Sequence, residues 1–184
     1  MKVELINIKG KWIDVLNRAR VTVKKNDIEK EPSDKFKKNI LRAEHSPIRS
    51  MIFSFHITDI KSWVATHFAR HHVGIEKFIS TQRTDRTGIN RDELPQGATV
   101  DMTIEANTQA LINISRKRLC MQASPETRDV MIAIKNEVKK VDPFISDVMV
   151  KECIYRGFCP EINSCGYCNT EQYKEEVAKY RMEK

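Results

Sequence analysis

Hydrophobic and polar positions alternate through Met1-Lys-Val-Glu-Leu-Ile-Asn-Ile8, which predicts a first strand. Residues 11–20 switch to helical spacing through Trp12, Val15 and Leu16, until the β-branched Val21-Thr22-Val23 interrupts them. A polar stretch containing Pro32 leads to Ser33-Asp34, a capping pair for a helix through about Ala43. Ser46-Pro47 ends it, because the residue before proline avoids the helical well. Residues 48–57 read as a strand, with alternation clearest from Phe53 onward. Thr58-Asp59 then reads as the cap of a central helix. In that helix Ile60, Trp63, Val64, His67, Phe68 and His71 recur at helical spacing, which places two imidazoles on one face a turn apart. Gly74 breaks the pattern, and residues 77–80 follow as a short strand or loop.

Beyond a polar turn at residues 84–90 and the punctuation of Leu94-Pro95, residues 98–104 predict a short strand. Helical spacing begins near Glu105, with Ala106, Ala110, Leu111 and Ile114 on one face, and closes on Arg116-Lys117-Arg118, where positive charge favours a helix C-terminus. Ser124-Pro125-Glu126 opens another helix, whose apolar face is Val130, Met131, Ile134 and Val138 and which stops at Asp142-Pro143. Residues 144–155 and 170–184 predict two further helices, the last one charged and peripheral. This order predicts an α+β fold, a modest central sheet packed with several helices. The expected organisation is a body over residues 1–150 with a cysteine-containing extension, residues 151–184, packed on it.

Composition changes this picture little. The 184 residues are 40% hydrophobic and 31% charged, an ordinary globular balance. No apolar run approaches membrane-spanning length, and charge comes too early at the N-terminus for a signal peptide, so a cytoplasmic location is expected. The net charge of +7 and pI near 9.2 fit an enzyme of anionic ligands, because the basic residues are dispersed rather than blocked. Direct RNA binding is therefore not the expectation.

The densest chemistry is Arg70-His71-His72, followed by Ser80-Thr81-Gln82-Arg83. Imidazoles and guanidinium groups beside hydroxyls and an amide suit a flat, anionic, hydrogen-bonding ligand such as a nucleotide. Upstream stand His45-Ser-Pro47 and Phe53-Ser-Phe55; downstream come Arg91-Asp-Glu-Leu-Pro95, then Asn107, Asn113 and Arg118, then Ala123-Ser-Pro-Glu126-Thr-Arg128. In this order the segments resemble the flavin-dependent thymidylate synthases over residues 45–144. The chain departs from that family at His72, where the family has arginine, and at His67, where it has glutamine. The arginine after Ser80 also comes one place late, and the family's tyrosine is absent.

The resemblance implies an FAD enzyme that methylates C5 of dUMP, with methylene-tetrahydrofolate and NADPH as co-substrates, in a homotetramer whose sites form between subunits. It implies that His45, Arg70, His71, His72, Asn107 and Asn113 contact the flavin. It likewise implies that His67, Ser80, Thr81, Gln82, Arg83, Arg91 and Arg118 hold the nucleotide, with Ser80 and Arg118 closest to the chemistry. Because the departures fall where the pyrimidine and phosphate are read, a C5 hydroxymethylase of a related nucleotide, or a noncatalytic nucleotide- or RNA-binding homologue, stays open. Separately, Cys153, Cys159, Cys165 and Cys168 crowd the extension, and the spacing of Cys165-Gly-Tyr-Cys168 would suit structural zinc.

Overall fold

The computed structural model describes residues 1–182; Glu183 and Lys184, the end of the expected tail helix, lie outside the described residues. In chain order, β1 (Lys2–Lys9), α1 (Trp12–Val21) and α2 (Asp34–Arg42) are followed by a tight helical turn (Ser46–Ser50), β2 (Ile52–Lys61), α3 (Ser62–Ala69) and β3 (Ile75–Ile79). Then come α4 (Thr84–Thr87), a single turn (Arg91–Glu93), β4 (Thr99–Asn107), α5 (Thr108–Arg118), α6 (Pro125–Val141) and α7 (Pro143–Val148). The extension holds α8 (Glu152–Arg156), a turn (Tyr167–Asn169) and α9 (Glu171–Met182). The strands form one antiparallel sheet in the order β1-β2-β4-β3. The architecture is α+β, as the pattern of residues predicts.

Register makes the sheet two-faced. Phe53 opposes Ala106, Phe55 opposes Ile104, Ile57 opposes Met102, and Ile75 opposes Ala106 from the other side, so one face is a continuous buried apolar layer under the helices. The alternate positions make a polar ladder: Ser54 Oγ donates to Glu105 at 3.2 Å, Lys9 reaches the same carboxylate at 3.3 Å, and His56 stands 3.4 Å from Thr103 Oγ1. Onto the apolar layer α6 brings the residues its spacing predicts, Val130, Met131, Ile134 and Val138.

Several boundaries differ from the sequence reading. Thr58-Asp59 does not cap the central helix; β2 runs on to Lys61 because a bulge after Ile57, with Asp59 at φ +57°, lets pairing with β4 resume at Ile60. The backbone N–H of Asp59 is satisfied by Asp101 Oδ1 at 2.9 Å. Glu105 and Ala106 belong to β4 rather than α5, and the helix starts only where Asn107 Oδ1 accepts from the N–H of Ala110 at 2.9 Å. Ile48 lies in a helical turn rather than a strand. The helix expected over residues 144–155 is two short ones: the Met149 carbonyl between them accepts a hydrogen bond from Lys135 Nζ at 2.8 Å instead of continuing a helical ladder.

Asp142 joins three elements. It ends α6, caps α7 by accepting from the N–H of Ile145 at 3.1 Å, and accepts from the indole Nε1 of Trp12 in α1 at 2.6 Å. Asp142→Ala removes a cap and leaves a half-buried indole N–H unpaired, so unfolding in denaturant is expected to show a loss of about 3 kcal/mol. Asp142→Asn, which keeps an acceptor, is expected to lose less than half of that.

Candidate functional site

Helix α3 stops at Ala69, one turn short of the expected end, so Arg70 is its C-cap and His71 leaves the helical path. Arg118 at the end of α5 nevertheless ties the His71 imidazole to the backbone of His67. Arg118 Nε donates to His71 Nε2 at 3.0 Å, and the same guanidinium donates through NH2 to the His67 backbone carbonyl at 2.6 Å. His67 Nδ1 is 2.8 Å from Thr127 Oγ1, which is 2.8 Å from Ser124 Oγ, the N-cap of α6. The His67 ring also stands edge-on to Trp63, with 5.5 Å between centroids. Three helix ends therefore converge on one polar cluster.

Its electrostatics are one-sided. Burial, then the charges of Arg118, Lys77 and His72, push the His71 imidazole down to about 4, and burial, Arg118 and Arg70 lower His67 as well. Both rings are neutral at physiological pH. Burial and Arg70 lower Arg118, although guanidinium stays protonated. Among the described residues, no ion pair involves Arg70, Lys77 or Arg118. Positive charge gathered against neutral acceptors, with no carboxylate to cancel it, is the electrostatic form of an anion site.

The opposite side of α3 forms a cleft of about 240 Å³. Ser62, Ala65, Thr66 and Ala69 make one wall, Ser80, Thr81, Gln82 and Arg83 the other, and Arg91 closes it. Ser80 Oγ accepts from the N–H of Asp101 at 2.9 Å, which leaves its proton to donate. Arg83 forms a two-point pair with the exposed Asp85, at 3.0 and 2.8 Å. The expected nucleotide residues thus divide into two sets, His67 and Arg118 on one side of α3, and Ser80 to Arg83 with Arg91 on the other.

The expected cofactor residues divide as well. Arg70 and His71 border the Arg118 cluster, and His72 is exposed beside them. Asn107 spends its oxygen on the cap of α5, while its amide nitrogen lies against Gly74; at φ +72°, a Cβ on that glycine would meet it at 2.4 Å. Asn113 is exposed on α5, its oxygen accepting from Gln109 Nε2 at 3.2 Å. Glu44, immediately before the exposed His45, ties that loop to α5 through Gln109 at 2.5 Å and through Arg116. Sequence reasoning missed Glu44, Gln109, Arg116, Ser124 and Thr127. Ser124 and Arg116 had readable signals, but those were for a helix cap and for charge at a helix C-terminus.

The cysteines gather in the extension, where Cys168 is hydrogen-bonded with both Cys153 and Cys159. Cys153 and Cys168 pack with Ile154, Tyr167 and Tyr173, whereas Cys165 is exposed, and all five cysteines are free. Among the described residues, no group of three or more His, Cys, Asp or Glu is arranged to hold a metal ion. Burial and the neighbouring Cys168 push the Cys153 thiol up to about 12, so it is protonated at neutral pH.

Three comparisons bear on this geometry. A family model described as thymidylate synthase complementing protein matches residues 89–144, less than half of the chain but the part holding Arg91, Asn107, Asn113 and Arg118. Comparison with curated proteins finds no matching sequence. Among solved structures, a UMP/dUMP methylase PolB from Streptomyces cacaoi, bound with 5-Br dUMP, is similar with TM-score 0.65 and 15% identity, covering 85% of this chain and 95% of that one. The flavin-dependent thymidylate synthase ThyX from Helicobacter pylori, complexed with FAD and dUMP, is similar with TM-score 0.66 and 12% identity, covering 82% and 100%. The resemblance read from the sequence is thus met by a family model over one segment and by a shared fold over most of the chain. No helix among the described residues is long and apolar enough to cross a membrane.

Two outcomes follow. Because the folded-state pKa of His71 is depressed from 6.5 to about 4, its contribution to stability is present above pH 6.5 and lost as pH falls through 4. An NMR titration is expected to show no protonation of His71 above about pH 5, and His71→Gln is expected to flatten the acid limb of a pH–stability curve. With a thiol reagent at neutral pH, exposed Cys165 is expected to react rapidly and Cys153 only on unfolding; chelator should not change that order.

Proposed function

We propose that this chain is a flavin-dependent methylase acting at C5 of a pyrimidine deoxynucleotide, with dUMP as substrate, methylene-tetrahydrofolate as carbon donor and NADPH as reductant. The observation that carries this reading is the Arg118 cluster: a guanidinium ordered by a neutral imidazole and a backbone carbonyl, with its charge unspent. The resemblance in sequence, the family model and the shared fold support the assignment.

The residues fit a flavin and a nucleotide. Arg116 Nε is a buried donor without a partner, beside the amide of Asn113 and the loop of His45, where ring nitrogens and oxygens of an isoalloxazine would find hydrogen-bonding groups. When bound, FAD would supply the hydride chemistry that no side chain here can. Arg118 would hold the anionic edge of the nucleotide and stabilise charge that develops on the pyrimidine. His71, neutral and accepting from Arg118, would keep the guanidinium oriented without neutralising it. Ser80 would donate its free hydroxyl proton to the nucleotide, with Arg83 and Arg91 offering charge to its phosphate.

Because α3 stands between the two residue sets, both would serve one ligand most directly if a second copy of the chain completed the site, as the implied homotetramer provides. Phe78 and Val73, 61% and 84% exposed on and before the edge strand β3, offer an apolar face for that contact.

Reconstitution with FAD should give a yellow protein that consumes NADPH and converts dUMP to a product heavier by a methyl group; a hydroxymethyl mass would revise the product, and absence of flavin affinity would remove the proposal. Arg118→Ala is expected to weaken nucleotide binding by about 2 to 4 kcal/mol, read by calorimetry. Phe78→Asp should lower the mass seen in sedimentation and the flavin affinity together.

A further inference from the structure

A cavity larger than the cleft beside Ser80 lies away from α3. It holds about 530 Å³, more than twice the cleft beside Ser80, and it sits where the extension closes over the body. The outer face of α6 forms its floor through Arg128, Ile132 and Lys135, and α8 and α9 form the far wall through Ile154 and Tyr180. Its size is in the range of small-molecule sites, which favour such junctions between packed units.

The lining has two characters. Ile132 and Met121, 45% and 44% exposed, leave an apolar surface uncovered inside a concavity. Next to it stand two ammonium groups. Among the described residues Lys135 Nζ donates to one protein group, the Met149 carbonyl at 2.8 Å, although the ammonium is half-buried. Lys151 Nζ is held by Glu176 at 2.8 Å and lies 4.5 Å over the Tyr167 ring. Burial and the charge of Lys151 lower the Lys135 pKa, while Asp147 and Glu176 oppose the shift. Four basic side chains line the cavity against three acidic ones, so the interior is net positive. An ammonium with unused donors beside bare apolar surface matches a molecule with one anionic head and an apolar body.

We propose that this cavity is a second binding site, separate from the nucleotide site, for a small organic anion whose carboxylate or phosphate pairs with Lys135 and Lys151 while its apolar part covers Ile132 and Met121. The inference does not depend on the reaction proposed above. A ligand there would bridge α6 and α9 and so tie the extension to the body.

Titration of the full chain with anilinonaphthalene sulfonate, an aromatic anion whose emission rises in apolar surroundings, tests this. One saturable site per chain is expected, insensitive to saturating FAD and dUMP. Octanoate or octyl phosphate should displace the dye, and whichever competes better names the head group. Lys135→Met, which keeps the length of the side chain and removes a half-buried charge, is expected to weaken dye binding about tenfold, and Ile132→Asp at least as much. Both variants should keep the FAD and dUMP affinity of the parent, which also shows that they fold. Displacement of the dye by dUMP or FAD, indifference to both substitutions, or failure of both competitors would overturn the proposal.

Discussion

The candidate site depends on one guanidinium. Arg118 closes α5 by donating to His71 Nε2 at 3.0 Å and to the His67 carbonyl, so the end of α3 and the end of α5 are fastened by hydrogen bonds rather than by opposite charges. A carboxylate in the place of His71 would make a stronger pair and also cancel the charge. A neutral imidazole orders the fork and leaves its attraction for an anion intact. Burial keeps that imidazole neutral, so packing sets the electrostatics.

The sheet brings these helix ends together. Central β2 pairs with β4, and β4 runs directly into α5 at Asn107, while β2 runs directly into α3 at Lys61. Antiparallel neighbours would send their helices to opposite ends of the sheet. The chain that follows α3 turns back, and the N–H of Asn107 donates to the Gly74 carbonyl at 2.9 Å. Gly74 lies at positive φ against the Asn107 side chain, so the return loop packs at the start of α5 with no room for a Cβ. The polar ladder on the other face of the sheet, from Lys9 through Glu105, leaves the helices gathered on a single face.

Sequence patterning revealed the strands, the capped helices and the apolar face of α6, because those depend on local spacing and on caps such as Ser33 and Ser124. It misplaced the start of α3, since the bulge at Asp59 is sustained by a partner 42 positions away, Asp101, and no local signal reports such a contact. It ran α5 backward into β4 because Ala106 and Ala110 suit helical spacing equally well, and only strand pairing decides between the two. Residue types at the site were legible as a cluster of imidazoles and guanidiniums. Their division across α3, and the roles of Thr127 and Glu44, come from tertiary packing between segments far apart in the chain. The cysteine spacing suggested a metal; the fold does bring Cys168 within hydrogen-bonding reach of Cys153 and Cys159, but Cys153 sits in an apolar cluster on α8 and Cys165 is exposed.

The most direct measurement of the central claim is an NMR map of the side-chain Nε–H of Arg118 and the imidazole signals of His67 and His71 during addition of dUMP to flavin-loaded protein. The account requires all three to shift together and saturate at the same nucleotide concentration. Shifts confined to the lining of the cavity beneath α9, or signals of Arg118 and His71 that stay unmoved at saturation, would contradict it.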